Sequence, residues 1–453
     1  MTEAIAPHHP RGLLRVLGLA FGLAVVVGGV IGSGIMRAPG IVAQGFTTTP
    51  LILAAWTLGG LASMLAAMPL VEAGSSVPLA GGPYPIAERA FGRTAGFLTG
   101  WMAWIAYAAS TAFISSVFGE YVHRLGFLPH VSTHVLACAL ILAVAALNWT
   151  GTRVSGASQS IGSAIKGGAF IVLIVILFAS PRAPVHAGAA HATAAVASVG
   201  AAIMAVRLIY QTYAGWDAAI YFSEEVHRPE RNVARATFLG IALVTVVYVL
   251  VNAAALHVLS PAALAGSTLA VGDAAKVSLG SAGDTVITAM GLFSLAAIVN
   301  LQTMVATRIT YRMARDGAFP ALFGRVAPGG TPRLGLILLV AFATLFAATG
   351  GYESIVRLYA PWSIGIGLVI CLAAIRLRYA EPDLHRPWKM PLFPWIGIFA
   401  LLAQVALIAV VVWDDPASGA LSALGLLAPL PIFLFLSRRW REAAAREFSH
   451  ASA

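Results

Sequence analysis

Two stretches of this chain have residue types and spacing suited to holding a small charged molecule through the main chain. The first is Val25 to Pro39, reading Val-Val-Val-Gly-Gly-Val-Ile-Gly-Ser-Gly-Ile-Met-Arg-Ala-Pro. It lies inside a long apolar run, yet Gly28, Gly29, Gly32, Ser33 and Gly34 weaken any helix there. Each glycine costs a helix interior about 0.8–1 kcal/mol relative to alanine. In hydrocarbon a broken helix frees backbone N–H and C=O groups, which is tolerated only where they line a cavity or bind something. N–H groups at the start of the next half-helix attract an anion, and carbonyls at the end of the previous one attract a cation. A free amino acid carries both charges on neighbouring atoms. The pattern therefore predicts a carboxylate held by Gly32, Ser33 and Gly34, and an ammonium held by the carbonyls of Val30 and Ile31. The competing account is close helix packing through Gly28-x-x-x-Gly32.

The second stretch is Arg207-Leu208-Ile209-Tyr210-Gln211-Thr212-Tyr213-Ala214-Gly215-Trp216-Asp217, a polar and aromatic cluster at mid-depth of another apolar run. Weak points in corresponding spans of two repeats mark a midplane substrate site. Carbonyls near Gln211, Thr212 and Ala214 would complete the ammonium site, with the side chains turned to the substrate. Tyr213 and Trp216 would equally serve as packing or interfacial aromatics. A third signal is Lys166, about eight residues, or roughly 12 Å, inside its apolar run. That is beyond easy snorkelling, and a charged lysine at mid-depth costs on the order of 2.5–3.5 kcal/mol. Such a residue faces a cavity or a partner.

The elements that must carry these residues follow from composition. Of 453 residues 59% are hydrophobic and 10% charged, with a mean hydropathy of +0.85; soluble domains carry about 25% charged residues. The chain is a polytopic membrane protein. Its net charge of +10 comes from Lys and Arg between apolar spans, not from one patch, which argues against nucleic acid as a partner. Cys138 and Cys371 fall in apolar runs and imply neither disulfide nor metal site. No Walker A loop, zincin pair or nucleophile elbow occurs, so neither an enzyme nor a cofactor is indicated. Membrane-length stretches lie near 13–36, 51–72, 92–120, 132–149, 158–180, 200–222, 236–258, 284–311, 333–350, 355–377, 394–413 and 419–436, which makes twelve spans; those at 132–149 and 333–350 are short. Most of the 28 Lys and Arg residues fall on the side of the N-terminus, which places both termini in the cytoplasm. The loop 181–197, rich in Ala and His, reads as a flexible outer connector; His186 and His191 could bind a metal, but two histidines in a loose loop are more often solvated.

Several motifs together resemble the amino acid–polyamine–organocation superfamily, in its L-type-like bacterial branch. The glycine stretch is similar to that family's Gly-x-Ile-Gly-Ser-Gly-Ile-x-x-x-Pro signature. Tyr213 to Asp217 followed by Glu224 to Asn232 resembles its sixth span and following loop. Ala80 to Tyr84, Arg308 to Pro320 and Arg386 to Pro394 resemble its approach to span three, its end of span eight and its loop before span eleven. The resemblance implies an all-α fold of twelve transmembrane helices with discontinuous helices one and six. The first inverted repeat would be 13–180 and the second 199–377, with peripheral spans at 394–436 and cytoplasmic tails at 1–12 and 437–453. It implies amino acid transport across the plasma membrane by alternating access, sodium-independent, by proton symport or exchange.

By the same resemblance Lys166 stands where related carriers hold a sodium ion between spans one and eight, set against carbonyls near Val27 and Gly28 and against Ser294. Two departures stand out: Gln211 replaces the usual gating aromatic, leaving Tyr210 or Trp216 to substitute, and Thr212 replaces an alanine. Tyr107, Ser110 and Thr111 are candidate pocket residues, Asp217 a second-choice contact, Asn252 and Asn300 interhelical bonds, and Glu224, Glu225, Arg228 and Arg231 a cytoplasmic ion-pair network. No cysteine is placed to tether a protein partner. Rival readings are a polyamine or organic cation carrier and a membrane sensor that binds an amino acid without moving it.

Overall fold

A computed structural model of the chain describes residues 12–32, 34–181, 196–267, 269–280 and 282–448. Ser33 and the connector histidines His186 and His191 lie outside the described residues. In chain order the helices are α1 (Leu19–Val30), α2 (Gly34–Gly45), α3 (Thr49–Ser76), α4 (Pro83–Phe91), α5 (Arg93–Arg124), α6 (Thr133–Trp149), α7 (Thr152–Ala179) and α8 (Val199–Thr212). After a 3₁₀ helix at Trp216–Phe222 come α9 (Pro229–Val258), α10 (Pro261–Ala265), α11 (Ala270–Leu279), α12 (Ala282–Arg315), α13 (Arg333–Thr349), α14 (Tyr352–Ala380), α15 (Trp395–Asp414), α16 (Pro416–Leu427) and α17 (Leu430–Phe448).

Among the described residues eight stretches are long and apolar enough to cross a membrane, with α16 and α17 counted as one. A ninth is the pair α1 and α2, bent by 49° at the glycine stretch. The short apolar helices α6 and α13 fall on the two stretches that read as short in the sequence. The predicted sixth span is not one helix: α8 ends at Thr212 and the chain resumes as a 3₁₀ helix.

Three elements depart from expectation. The approach to span three folds as α4, framed by Gly82 and Gly92 at φ +61° and +87°. The connection between predicted spans seven and eight carries α10 and α11. The predicted tail from 437 is helical to Phe448. Trp440 packs beside Phe319 and Arg315 lies over the Phe448 ring at 4.3 Å, so the segment is held against the end of α12.

Two large apolar cores result among the described residues, with two small clusters beside them. One joins α1, α2, α3, α8, α9 and α11; the other is centred on α5, α12, α13 and α14, and Trp216 packs against both. Small residues let the first set approach closely. A Cβ on Gly22 would sit 2.9 Å from that of Ala236, and one on Gly240 would collide with Val26.

The arginine-rich end of the bundle is sealed. Backbone bonds of 2.9 Å join Leu17 N–H to Glu225 and His227 N–H to Leu17. Arg308 donates through Nε and Nη2 to the Glu225 carboxylate, both at 2.9 Å, and both side chains are buried. Arg312 pairs with Glu224 at 2.8 Å and with Asp316. The expected network of Glu224 and Glu225 with Arg228 and Arg231 is therefore corrected. Arg308 and Arg312, one turn apart on α12, take both acids, while Arg228 and Arg231 stay exposed without an ion pair among the described residues.

Removing one partner of a buried pair strands the other charge, at a cost of about 3–5 kcal/mol. Glu225→Ala and Arg308→Met should each lower the melting temperature in detergent sharply, and the double variant should lose clearly less than the two combined. Strict additivity in that cycle would show that the two do not act as a pair.

Candidate functional site

The site is built from the ends of two broken helices. α1 stops where Ile31 turns extended (φ −71°, ψ 103°), with Ile31 N–H to Val27 as its last bond at 2.9 Å. The carbonyls beyond Val27 have no helical partner. α8 stops at Thr212; Tyr213 N–H closes on Ile209, Ala214 N–H on Gln211 at 3.2 Å, and Gly215 adopts φ +107°. At Gly29 and Gly215 the breaks touch through main chain. A Cβ on Gly215 would lie 2.8 Å from the Gly29 oxygen, and one on Gly29 would lie 2.9 Å from the Gly215 oxygen. Any side chain at either position would push the breaks apart, and at Gly215 the positive φ also favours glycine.

Side chains from three other helices close the freed carbonyls of α1. Lys166 Nζ of α7, fully buried, donates to Gly28 at 2.8 Å and to Ile31 at 2.5 Å. Ser294 Oγ of α12 donates to the same Ile31 oxygen at 3.1 Å. Tyr248 Oη of α9 lies 2.8 Å from the Val30 oxygen and 3.1 Å from the Thr212 oxygen, so one hydroxyl spans both breaks. Lys166 thus meets Gly28 as anticipated but reaches Ile31 instead of Val27, whose carbonyl is spent inside α1. The Val30 and Ile31 carbonyls already have donors from the protein: Val30 keeps a lone pair, whereas Lys166 and Ser294 together fill both on Ile31.

Tyr248 was not among the residues the sequence singled out. One tyrosine in an apolar span looks like packing, and its Trp56 and Tyr213 ring contacts support that role as well. The glycines divide between both accounts of them. Gly28 packs against Ser163 and Gln159 of α7, and Gly34 faces Thr212, whereas Gly29 and Gly215 make the backbone approach.

The remaining candidates separate. Thr212 is buried at the break, its hydroxyl bonded to Leu208. Tyr213 is buried and donates to the Trp56 carbonyl at 2.9 Å, away from the break. Tyr210 turns to α15, where Gln404 donates to its hydroxyl at 3.1 Å. Gln211 and Ala214 are exposed, and Trp216 is half-buried. Tyr107 Oη donates to Asp217 at 3.3 Å, and its ring meets Tyr221 edge-on. Ser110 and Thr111 are both engaged by Gln302. Asn300 bridges Asn148 of α6 and Gln159 of α7, but Asn252 corrects the expectation: it bonds the Tyr248 carbonyl one turn back in its own helix.

The arrangement binds and orients charge through backbone dipoles; it contains no nucleophile–base pair. Among the described residues no group of His, Cys, Asp and Glu could hold a metal. Comparison with known proteins agrees with a carrier. The family model described as amino acid permease matches residues 16–428. The serine/threonine exchanger SteT of Bacillus subtilis is 27% identical over 95% of this chain and 98% of its own length. The b(0,+)-type amino acid transporter 1 of Mus musculus is 29% identical over 94% of this chain and 88% of its own. The cystine/glutamate transporter of Homo sapiens is 27% identical over 93% and 85%. With apolar helices at membrane length and a family match over nearly all of its residues, the chain belongs to the amino acid permease family of the amino acid–polyamine–organocation superfamily, a multi-pass membrane transporter and not an enzyme.

Proposed function

We propose that the chain exchanges amino acids across the plasma membrane by alternating access, without sodium. The observation that carries this reading is the Lys166 ammonium fixed between the Gly28 and Ile31 carbonyls, with Ser294 on the same oxygen. A sodium ion on those oxygens would sit a few ångströms from Nζ. Two unit positive charges 4 Å apart repel by about 4 kcal/mol even at an effective dielectric constant of 20. Exchange is favoured because one relative is named a serine/threonine exchanger.

The substrate carboxylate binds the N–H groups that open α2 at Gly32, Ser33 and Gly34. The substrate ammonium uses the spare lone pairs of Val30 and Thr212 and the carbonyls of Gln211 and Ala214, with Trp216, packed against both cores, as the closing aromatic. Twelve spans form two inverted repeats, 13–180 and 199–377, with 394–436 peripheral. The arginine-rich end faces the cytoplasm, and no obligate protein partner is needed. The helices α1–α3, α8 and α9 rock against α5, α6, α12 and α13. Sealing of the basic end by Glu225 and Arg308 supports an outward-facing or occluded step of that cycle.

One observation favours a second reading. Asp217, at the start of the 3₁₀ helix, is an acid beside the break with Tyr107 as its bonded partner, and an amine-bearing substrate would use it.

Three outcomes follow. Liposomes preloaded with serine or threonine should take up labelled amino acid while empty ones do not, and a sodium gradient should leave the rate unchanged; strong sodium dependence would remove the role given to Lys166. Tyr248→Phe deletes one hydroxyl shared by two carbonyls, a loss of about 1–1.5 kcal/mol, and should raise the KM for exchange about five- to tenfold without unfolding the protein. Asp217→Asn should leave serine exchange nearly intact. If it instead abolishes a thermal shift produced by putrescine or lysine in the unaltered protein, the cationic reading takes over.

A further inference from the structure

At the arginine-rich end a cavity of about 580 Å³ opens between the approach to α1 and the first two turns of α7. Its lining includes apolar Phe21 and Gly156 beside Arg15, Arg153, His227 and Ser160, whose hydroxyl donates to the Gly156 carbonyl at 3.0 Å. Arg153 and Ser160 are seven residues apart on α7 and share one face of it. Arg153 is exposed and has no hydrogen bond or ion pair among the described residues. Arg15 makes only a marginal 3.5 Å contact to the Glu224 carbonyl. Two acids of the neighbouring loop are committed elsewhere, Glu225 to Arg308 and Glu224 to Arg312. The lining thus gathers two guanidiniums and an imidazole, with no carboxylate in it among the described residues. Beside it α7 presents Val154, Ile161 and Ile165 outward, each about half exposed, as a surface for hydrocarbon.

We propose that this cavity is a binding site for a phosphate-bearing anion, with Arg15 and Arg153 gripping the phosphate oxygens and His227 completing the donor set. Guanidinium forks match phosphate geometry, and basic pockets between membrane helices take anionic headgroups. The same chemistry is offered by an anionic phospholipid and by free phosphate. The exposed aliphatic strip on α7 favours the lipid, whose acyl chains would lie along it. An occupant joins the start of α1 to the start of α7, and so holds the sealed end together independently of what the protein carries.

The test uses the full chain in neutral detergent, read by native mass spectrometry and by melting temperature, with phosphatidylglycerol, phosphatidylcholine and inorganic phosphate as separate additions. Phosphatidylglycerol should bind one equivalent more tightly than the rest and raise the melting temperature by several degrees, and R15Q/R153Q should lose both effects. R438Q/R439Q, which removes the same charge from the tail helix at the same end, should keep them. Protection by millimolar inorganic phosphate alone, lost in R15Q/R153Q, would assign the site to a soluble anion. Equal lipid retention by unaltered protein and R15Q/R153Q, or equal loss in both double variants, would overturn the proposal. A variant that elutes as a folded monodisperse species before lipid is added is required for either comparison; if R15Q/R153Q fails that check, the single variant R153Q is read in its place with the same outcomes.

Discussion

Carbonyl oxygens stranded in a dry interior set the terms for the rest of this structure. An unpaired buried polar group costs roughly 1–3 kcal/mol, and water cannot reach the middle of a bilayer to relieve it. α1 leaves the carbonyls of Gly28, Val30 and Ile31 without helical partners, and the protein answers with one donor each from α7, α9 and α12: Lys166, Tyr248 and Ser294. Because each donor has a fixed reach, the three helices that carry them are held in place around the break. Tyr248 goes further, since its one hydroxyl lies against carbonyls of both α1 and α8.

The same logic runs down α7. Thr152, Ser155, Gln159, Ser163 and Lys166 recur at three- and four-residue spacing, which puts them on one buried face. Ser163 donates to the Ala24 carbonyl of α1. Gln159 accepts from Asn300 of α12, which in turn accepts from Asn148 of α6. Thr152 accepts from Arg308 and donates to the Gly330 carbonyl. Every member has a partner, so the stripe is a satisfied network and not a row of buried liabilities. It ties the broken helix to the sealed basic end through a single rigid element, with bonds to α1 on one side and to α12, and through Asn300 to α6, on the other.

Much of this was legible before any coordinates. Apolar runs located the long helices, and even the two short ones, because length against hydrocarbon thickness is a one-dimensional property. The break in α1 was legible because five weak helix formers crowd into seven residues, more than a small-residue packing face with four-residue spacing requires. Lys166 was legible because a lone charge there must have a partner. Which carbonyls it would find was not: Val27 and Ile31 differ only in whether the last helical turn has closed, which depends on ψ at one residue. Tyr248 was hidden because a donor in an apolar span is indistinguishable from a packing aromatic until its hydroxyl is placed. α4, α10 and α11 were missed because short helices held by tertiary contacts carry no membrane-length signal. That the tail is helical to Phe448 and docks through a few aromatics was not legible, because its arginines outnumber them.

The two accounts of the glycine stretch, a broken helix for binding and a small-residue face for packing, turn out to require each other. Gly28 lets α7 come close enough for Lys166 to reach the carbonyl of that same residue; a Cβ at Gly28 would strike Ser163 and hold the lysine off. Gly29 and Gly215 let the breaks meet through backbone, which brings the Val30 and Thr212 oxygens within reach of one tyrosine. Replacing a glycine here therefore removes more than about 1 kcal/mol of local backbone preference. It separates donors from acceptors that have no alternative partner, so tight packing is the condition under which an unwound helix can persist in hydrocarbon at all.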